Sequence, residues 1–195
     1  MPVDLGRQIR NFAKLVADSK VEVYNEPSVQ FQLASFVQSQ LGTDSKVNVE
    51  RNIEYFGLTK ADFLKKEMDI VVFSPDLSEK HCIELKFPRQ GQYPEQMFSA
   101  CKDVKFLEQL TEVGFGTSYF VMFAEDHLFY DDKGGAEIYK MFRTNKTIRG
   151  MITKPTGSRD ESFQMEAEYN IEWQLLKGWL RYFVLEVERR TRAAK

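Results

Sequence analysis

The sequence predicts one mixed α/β domain on a sheet that combines antiparallel and parallel strands. Two observations carry this. Helical and strand periodicities follow each other in the order helix, three strands, helix, strand, after an additional N-terminal helix. The second and third strands are joined by a short connection, as in a hairpin, and the third and fourth by a long helix, as in a crossover between parallel strands. A chain of 195 residues suits one domain with a sizeable core, so residues 1–195 are read as a single unit. Hydrophobic residues make up 43% and charged residues 29%, an ordinary globular balance, and 16 phenylalanines supply a well-filled interior.

Each element follows from local pattern. Residues 4–19 form an amphipathic helix, with Leu5, Ile9, Phe12, Leu15 and Val16 on one face. A short extended piece covers 21–24. The second helix spans 27–41: Pro27 suits its first turn, Val29, Leu33, Phe36, Val37 and Leu41 form its apolar face, and Gly42 ends it. Gln30, Gln32, Gln38 and Gln40 are read as its solvated face, and Glu26 sits at its N-terminal edge. Strands follow at 47–56, 67–73 and 82–87, with Ser74-Pro75-Asp76 starting the turn before the third and Pro88 closing it. Met97, Cys101, Val104, Leu107 and Leu110 mark a helix over 93–113, which Gly114 and Gly116 end. Ser118 to Ala124 reads as a buried strand. In the remainder, 136–142 suits a short helix and 154–157 a loop. Residues 163–176 and 179–187 suit two strands around Lys177-Gly178, a helix being the alternative for each. Residues 125–195 follow the fourth strand as a C-terminal elaboration.

Composition excludes several classes. No run approaches the roughly 20 apolar residues needed to span a bilayer. Residues 1–10 carry Asp4, Arg7 and Arg10 and no apolar h-region, so no signal peptide and a cytoplasmic location are expected. Cys82 and Cys101 lie in apolar runs and read as buried thiols rather than a disulfide. His81 and His127 are isolated and no CxxC occurs, which argues against zinc. A net charge of −2 argues against a nucleic-acid coat protein, though not against an enzyme with one local basic face.

The chemistry gathers on the hairpin. Strand side chains alternate, so Glu84 and Lys86 share a face while Leu85 points away. Both interrupt the apolar run Cys82-Ile83-Glu84-Leu85-Lys86-Phe87, as Asp69 opens the run Ile70 to Phe73. A turn near Leu77 and Ser78 sets Asp69 roughly across from Lys86, a diagonal neighbour of Glu84. An unpaired buried ion costs several kcal/mol, and adjacent carboxylates repel. A divalent cation such as Mg²⁺ or Mn²⁺, a hard ion that takes oxygen ligands, answers both costs. The plain alternative is an ion pair of Lys86 with Glu84 or Asp69 on a solvated face.

Asp69 followed by Glu84-Leu85-Lys86 on the next strand resembles the PD-(D/E)XK nuclease superfamily, whose restriction-endonuclease-like core runs helix, three strands, helix, strand. The resemblance covers about residues 22–124. It implies metal ligation by Asp69, Glu84 and the backbone carbonyl of Leu85, with Lys86 near the nucleophile. It also implies a supporting glutamate from the first core helix, for which Glu26 is the match. Met68 stands where the superfamily's motif has Pro. Gln92 and Gln96 match glutamines that some members use to contact substrate or the metal-bound water; exposed helix glutamines are equally ordinary.

A basic stretch lies further on. Residues 138–159 contain no acidic residue and carry Lys140, Arg143, Lys146, Arg149, Lys154 and Arg159, while residues 160–172 carry Asp160, Glu161, Glu166, Glu168 and Glu172. The basic residues would contact phosphates with marked salt dependence, or else pair with that acidic neighbour. Lys65, Lys66 and Arg89 flank the hairpin site and offer further backbone grips.

The expectation is therefore a metal-dependent nuclease acting on DNA, for which a homodimer would allow both strands to be cut. The second reading is a catalytically inactive module of the same fold that binds nucleic acid or protein. A third is another α/β enzyme, but no GxGxxG, GxxxxGK[ST] or GxSxG occurs.

Overall fold

The computed structural model describes residues 4–89, 91–135, 137–157 and 160–190. Its elements are helices α1 (Leu5–Ala17), α2 (Glu26–Leu41), α3 (Tyr93–Glu112) and α4 (Glu137–Arg143). The strands are β1 (Lys46–Asn52), β2 (Glu67–Phe73), β3 (Lys80–Lys86), β4 (Ser118–Ala124), β5 (Thr147–Ile148), β6 (Met151–Thr153), β7 (Ser162–Gln164), β8 (Tyr169–Asn170), β9 (Gln174–Lys177) and β10 (Leu180–Val187). Six strands form one mixed sheet in the order β1-β2-β3-β4-β10-β9. Among the described residues only β3 and β4 run parallel within it, joined through α3.

Both faces of the sheet are covered, which explains the continuous apolar runs in its central strands. Ile70, Val72, Ile83, Leu85, Val121 and Phe123 point to the face covered by α1 and α2, against Leu5, Ile9, Phe12, Val29, Leu33 and Val37. Val71, Phe73, Cys82, Phe120, Met122 and Phe183 point to the other, against Met97, Cys101, Val104 and Leu107 of α3. Cys82 and Cys101 are buried free thiols. Among the described residues no helix is long and apolar enough to cross a membrane.

Four local outcomes differ from the sequence reading. The first strand ends at Asn52, not Phe56, because the Asn52 side chain accepts the Glu54 N–H at 2.9 Å and turns the chain into a 3₁₀ segment, Ile53–Phe56. The hairpin pairs Ile70 with Ile83 and Phe73 with Lys80, so Asp69 comes opposite Glu84 instead of Lys86. Asp76 sets this turn by accepting from Ser74 Oγ, Ser78 N and Ser78 Oγ. Because the shift is two residues, every side chain keeps its face.

The third difference is residues 163–176, which are three short strands rather than one. β7 pairs with β6 and β8 with β5, and the break between β7 and β8 falls where the Glu108 carboxylate of α3 accepts the Glu166 and Ala167 N–H groups at 3.0 Å. The fourth concerns two glutamines read as solvated. Gln38 donates to the carbonyls of Gly42 and Ser45 and accepts from Val47 N, and Gln30 reaches the carbonyl of Asp69 at 2.8 Å. The short helix expected over 136–142 is α4; Ala136 lies outside the described residues, as does Arg159 of the basic stretch.

Candidate functional site

The site forms where the β-ladder opens around Asp69. Pairing with β1 skips Glu50, whose φ of 49° places a non-glycine residue in the left-handed region. Gln30 of α2 supplies the donor for the Asp69 carbonyl there and also meets Glu50. Toward β3, side chains replace the ladder. Leu85 N–H donates to Asp69 Oδ2 at 2.7 Å, and Asp69 N–H donates to Glu84 Oε1 at 3.2 Å. Each carboxylate therefore has one oxygen fixed by main chain and the other free to face the same point.

That point holds the ammonium of Lys65, from the loop before β2. Lys65 Nζ contacts Glu84 Oε2, lies 2.8 Å from Asp103 Oδ1 and 3.6 Å from Asp69 Oδ1. The second lysine, Lys86, lies 2.8 Å from Asp103 Oδ2, 3.7 Å from Glu26 Oε1, and donates to the Leu85 carbonyl at 3.2 Å. Glu26 belongs to the first turn of α2, whose start is fixed by an Asn25–Ser28 capping box, and its Oε2 accepts the Phe87 N–H at 3.0 Å. Thus Glu26, Asp69, Glu84 and Lys86, all expected from sequence, converge.

Two central residues were not assigned these roles from sequence. Asp103 is 2% exposed and bridges both lysines. It lies on the apolar face of α3 between Ala100 and Leu107, a charge interrupting a buried helical stripe as Glu84 interrupts a buried strand. Lys65 sits in a loop, where no periodicity distinguishes it.

Electrostatics follow from burial. Glu84 is fully buried, and burial with the neighbouring Asp69 pushes its carboxyl well above the usual carboxylate range, against the pull of Lys65. Burial likewise raises Asp69 to about 6, opposed by Lys65 and the Leu85 N–H and assisted by Asp103. Burial alone would lower both lysines. The attraction of Glu84, Asp103 and Asp69 reverses this for Lys65, and that of Asp103 and Glu26 for Lys86, so both are raised and remain ammonium ions.

With all six groups ionised, four carboxylates face two ammoniums, leaving two negative charges. The donors suit a hard divalent ion: Asp69 Oδ1, Glu84 Oε2 and Asp103 Oδ1 all turn to one cation position. Among the described residues no group of three or more His, Cys, Asp or Glu side chains is gathered closely enough to hold a metal ion, and the shared position is taken by Lys65.

The remaining expected residues are placed as follows. Lys66 is exposed, 4.0 Å from Glu67. Arg89 is exposed beside a cavity at the end of β3. Gln92 is exposed in a left-handed conformation (φ 50°) as the N-cap of α3, and Gln96 lies one turn on, half-buried. Arg143 is buried, donating to the carbonyls of Leu128 and Gly134, so its guanidinium is committed to the fold. Arg149 pairs with Glu168 at 3.2 Å and Lys154 with Glu161 at 3.9 Å, the acidic pairing that sequence offered as the alternative. Lys146 is exposed with φ 51°. No family model, curated protein or solved structure was found to match the chain.

Proposed function

We propose that the chain is a metal-dependent phosphodiesterase that hydrolyses nucleic acid, DNA in the first instance, on a restriction-endonuclease-like core. The observation that carries this is the convergence of Asp69, Glu84 and Asp103 on one buried cation position beside Lys86. The order α2, β1, β2, β3, α3, β4 and the Asp69…Glu84-Leu85-Lys86 pattern support the same reading.

Asp69, Glu84 and the Leu85 carbonyl would hold Mg²⁺ or Mn²⁺. Such an ion would polarise a phosphoryl oxygen and lower the pKa of the attacking water. Asp103 and Glu26 hold Lys86 from two sides, so its charge is fixed in direction and would face the phosphoryl oxygens on which negative charge develops. Glu26 also ties the start of α2 to the end of β3 through Phe87 N–H. Lys65 must leave the carboxylates when an ion enters, and its released ammonium would then face the phosphate.

One observation favours the second reading, an inactive module of the same fold: Lys65 already neutralises part of the carboxylate charge. Both are tested together. Purified protein should cut DNA with Mg²⁺ or Mn²⁺, and lose the activity on chelation and in Asp69→Ala and Lys86→Ala. Absence of cleavage under either metal, with no Mn²⁺ binding by calorimetry, would refute the enzyme and leave the module.

A further inference from the structure

We infer that the cavity at the end of β3, lined by the sequence neighbours of Lys86 and Glu26, receives an unpaired nucleobase with an exocyclic amino group; this rests on the nucleic-acid substrate proposed above. The cavity measures about 680 Å³ and is lined by Tyr24, Phe87, Pro88, Arg89, Glu125 and Asp126. That volume falls within the roughly 300–1,000 Å³ of small-ligand sites. It is continuous in sequence with the site: Phe87 follows Lys86, and Tyr24 precedes Glu26 by two residues.

The walls match the parts of a nucleotide. Phe87 is buried and its ring is backed by Phe123 at 5.9 Å, itself stacked on Tyr182 at 5.8 Å, which makes a rigid apolar floor. Tyr24 is 65% exposed, although its backbone is pinned by donation of its N–H to Ser28 Oγ at 2.9 Å. A large ring held out at the mouth of a cavity offers the stacking face that any base can use. Arg89 is exposed without an acidic partner among the described residues, free to grip a flanking phosphate.

Glu125 and Asp126 supply the polar edge. Asp126 is committed, accepting from Tyr93 Oη at 2.5 Å and Leu128 N–H at 2.9 Å. Glu125 is exposed and its carboxylate has no partner among the described residues. A carboxylate accepts from the exocyclic amino group of cytosine and has no donor to meet on the O4 side of thymine. A base inside an intact duplex cannot reach such a cavity without being unpaired, so single strands and unpaired ends are favoured.

The test is fluorescence anisotropy with labelled oligodeoxycytidylate, oligothymidylate and a blunt duplex, in chelator and with Ca²⁺. The cytidylate should bind tightest. Tyr24→Ala should weaken it on the order of tenfold, Tyr24→Phe should restore it, and Glu125→Gln should erase the preference over thymidylate. Equal binding of the duplex, or Tyr24→Ala and Glu125→Gln that bind all three as wild type does, overturns the base site. Cleavage of the same oligonucleotides with Mn²⁺ separates the two proposals. Tyr24-dependent binding without cleavage keeps the base site and removes the nuclease, and cleavage with Tyr24-independent binding does the reverse. No binding of any of the three removes the base site as well.

Discussion

Replacing Lys65 by Met removes the ammonium that Glu84, Asp69 and Asp103 share, while leaving an apolar stem beside Phe106. Glu84 is fully buried and Asp103 nearly so, which makes this the breaking of a buried ion pair, a change worth about 3–5 kcal/mol. The Lys65 side chain is 24% exposed, so the lower end, about 3 kcal/mol, applies. For a chain of this size that lowers Tm by about 6–12 °C. The assay is thermal unfolding at pH 8 in chelator, repeated with Mn²⁺. An ion present at about 100 times its dissociation constant returns about 2.7 kcal/mol, so Mn²⁺ should restore nearly the whole loss. Wild type should gain less, because its own lysine must first be displaced. The deficit should shrink toward pH 5, where Glu84 and Asp69, both raised, take up protons instead of needing a cation. A variant that melts within about 2 °C of wild type in chelator would refute the electrostatic account. A destabilised variant that Mn²⁺ does not rescue would refute the metal site.

Asp69 is raised from 3.8 to about 6, so without metal its contribution to stability is full below pH 3.8 and lost as pH rises through about 6; Asp69→Asn should flatten that part of a Tm-against-pH curve measured in chelator. Asp103→Asn removes the charge between Lys65 and Lys86, so the lysines repel, the Lys86 pKa falls, and the alkaline limb of a cleavage pH profile should move to lower pH; an unmoved limb would show that Asp103 does not position Lys86. Glu108→Ala strips acceptors from Glu166 N, Ala167 N, Tyr169 Oη and Lys105, and should cost about 2–4 kcal/mol with raised amide exchange concentrated at residues 162–171. Asn25→Ala breaks the capping box of α2 and should cost about 1 kcal/mol, seen as a Tm lowered by about 2–4 °C.

The sequence by itself determined the order of the elements up to β4 and the faces of the hairpin strands. Period-two alternation put Glu84 and Lys86 on one side of β3. Asp69 stayed with them although the hairpin register differs from the one read, because a two-residue shift preserves every face. Helical spacing likewise fixed α1, α2 and α3 to within a residue or two, since each has one apolar stripe and a clear end signal. The C-terminal strands were less legible: their bounds depend on Glu108 of α3 capturing main-chain donors some sixty residues away. Tertiary structure alone decided the content of the site. Packing α3 across the sheet brings Asp103 between Lys65 and Lys86, and Gln30 reaches Asp69 only because a left-handed Glu50 opens the ladder there. Local periodicity reports which face a residue takes, whereas the meeting of charges from a loop, a strand and a helix depends on how the layers stack. The hairpin cluster with which sequence began is therefore a six-residue network, and its cation position is held by the chain's own lysine.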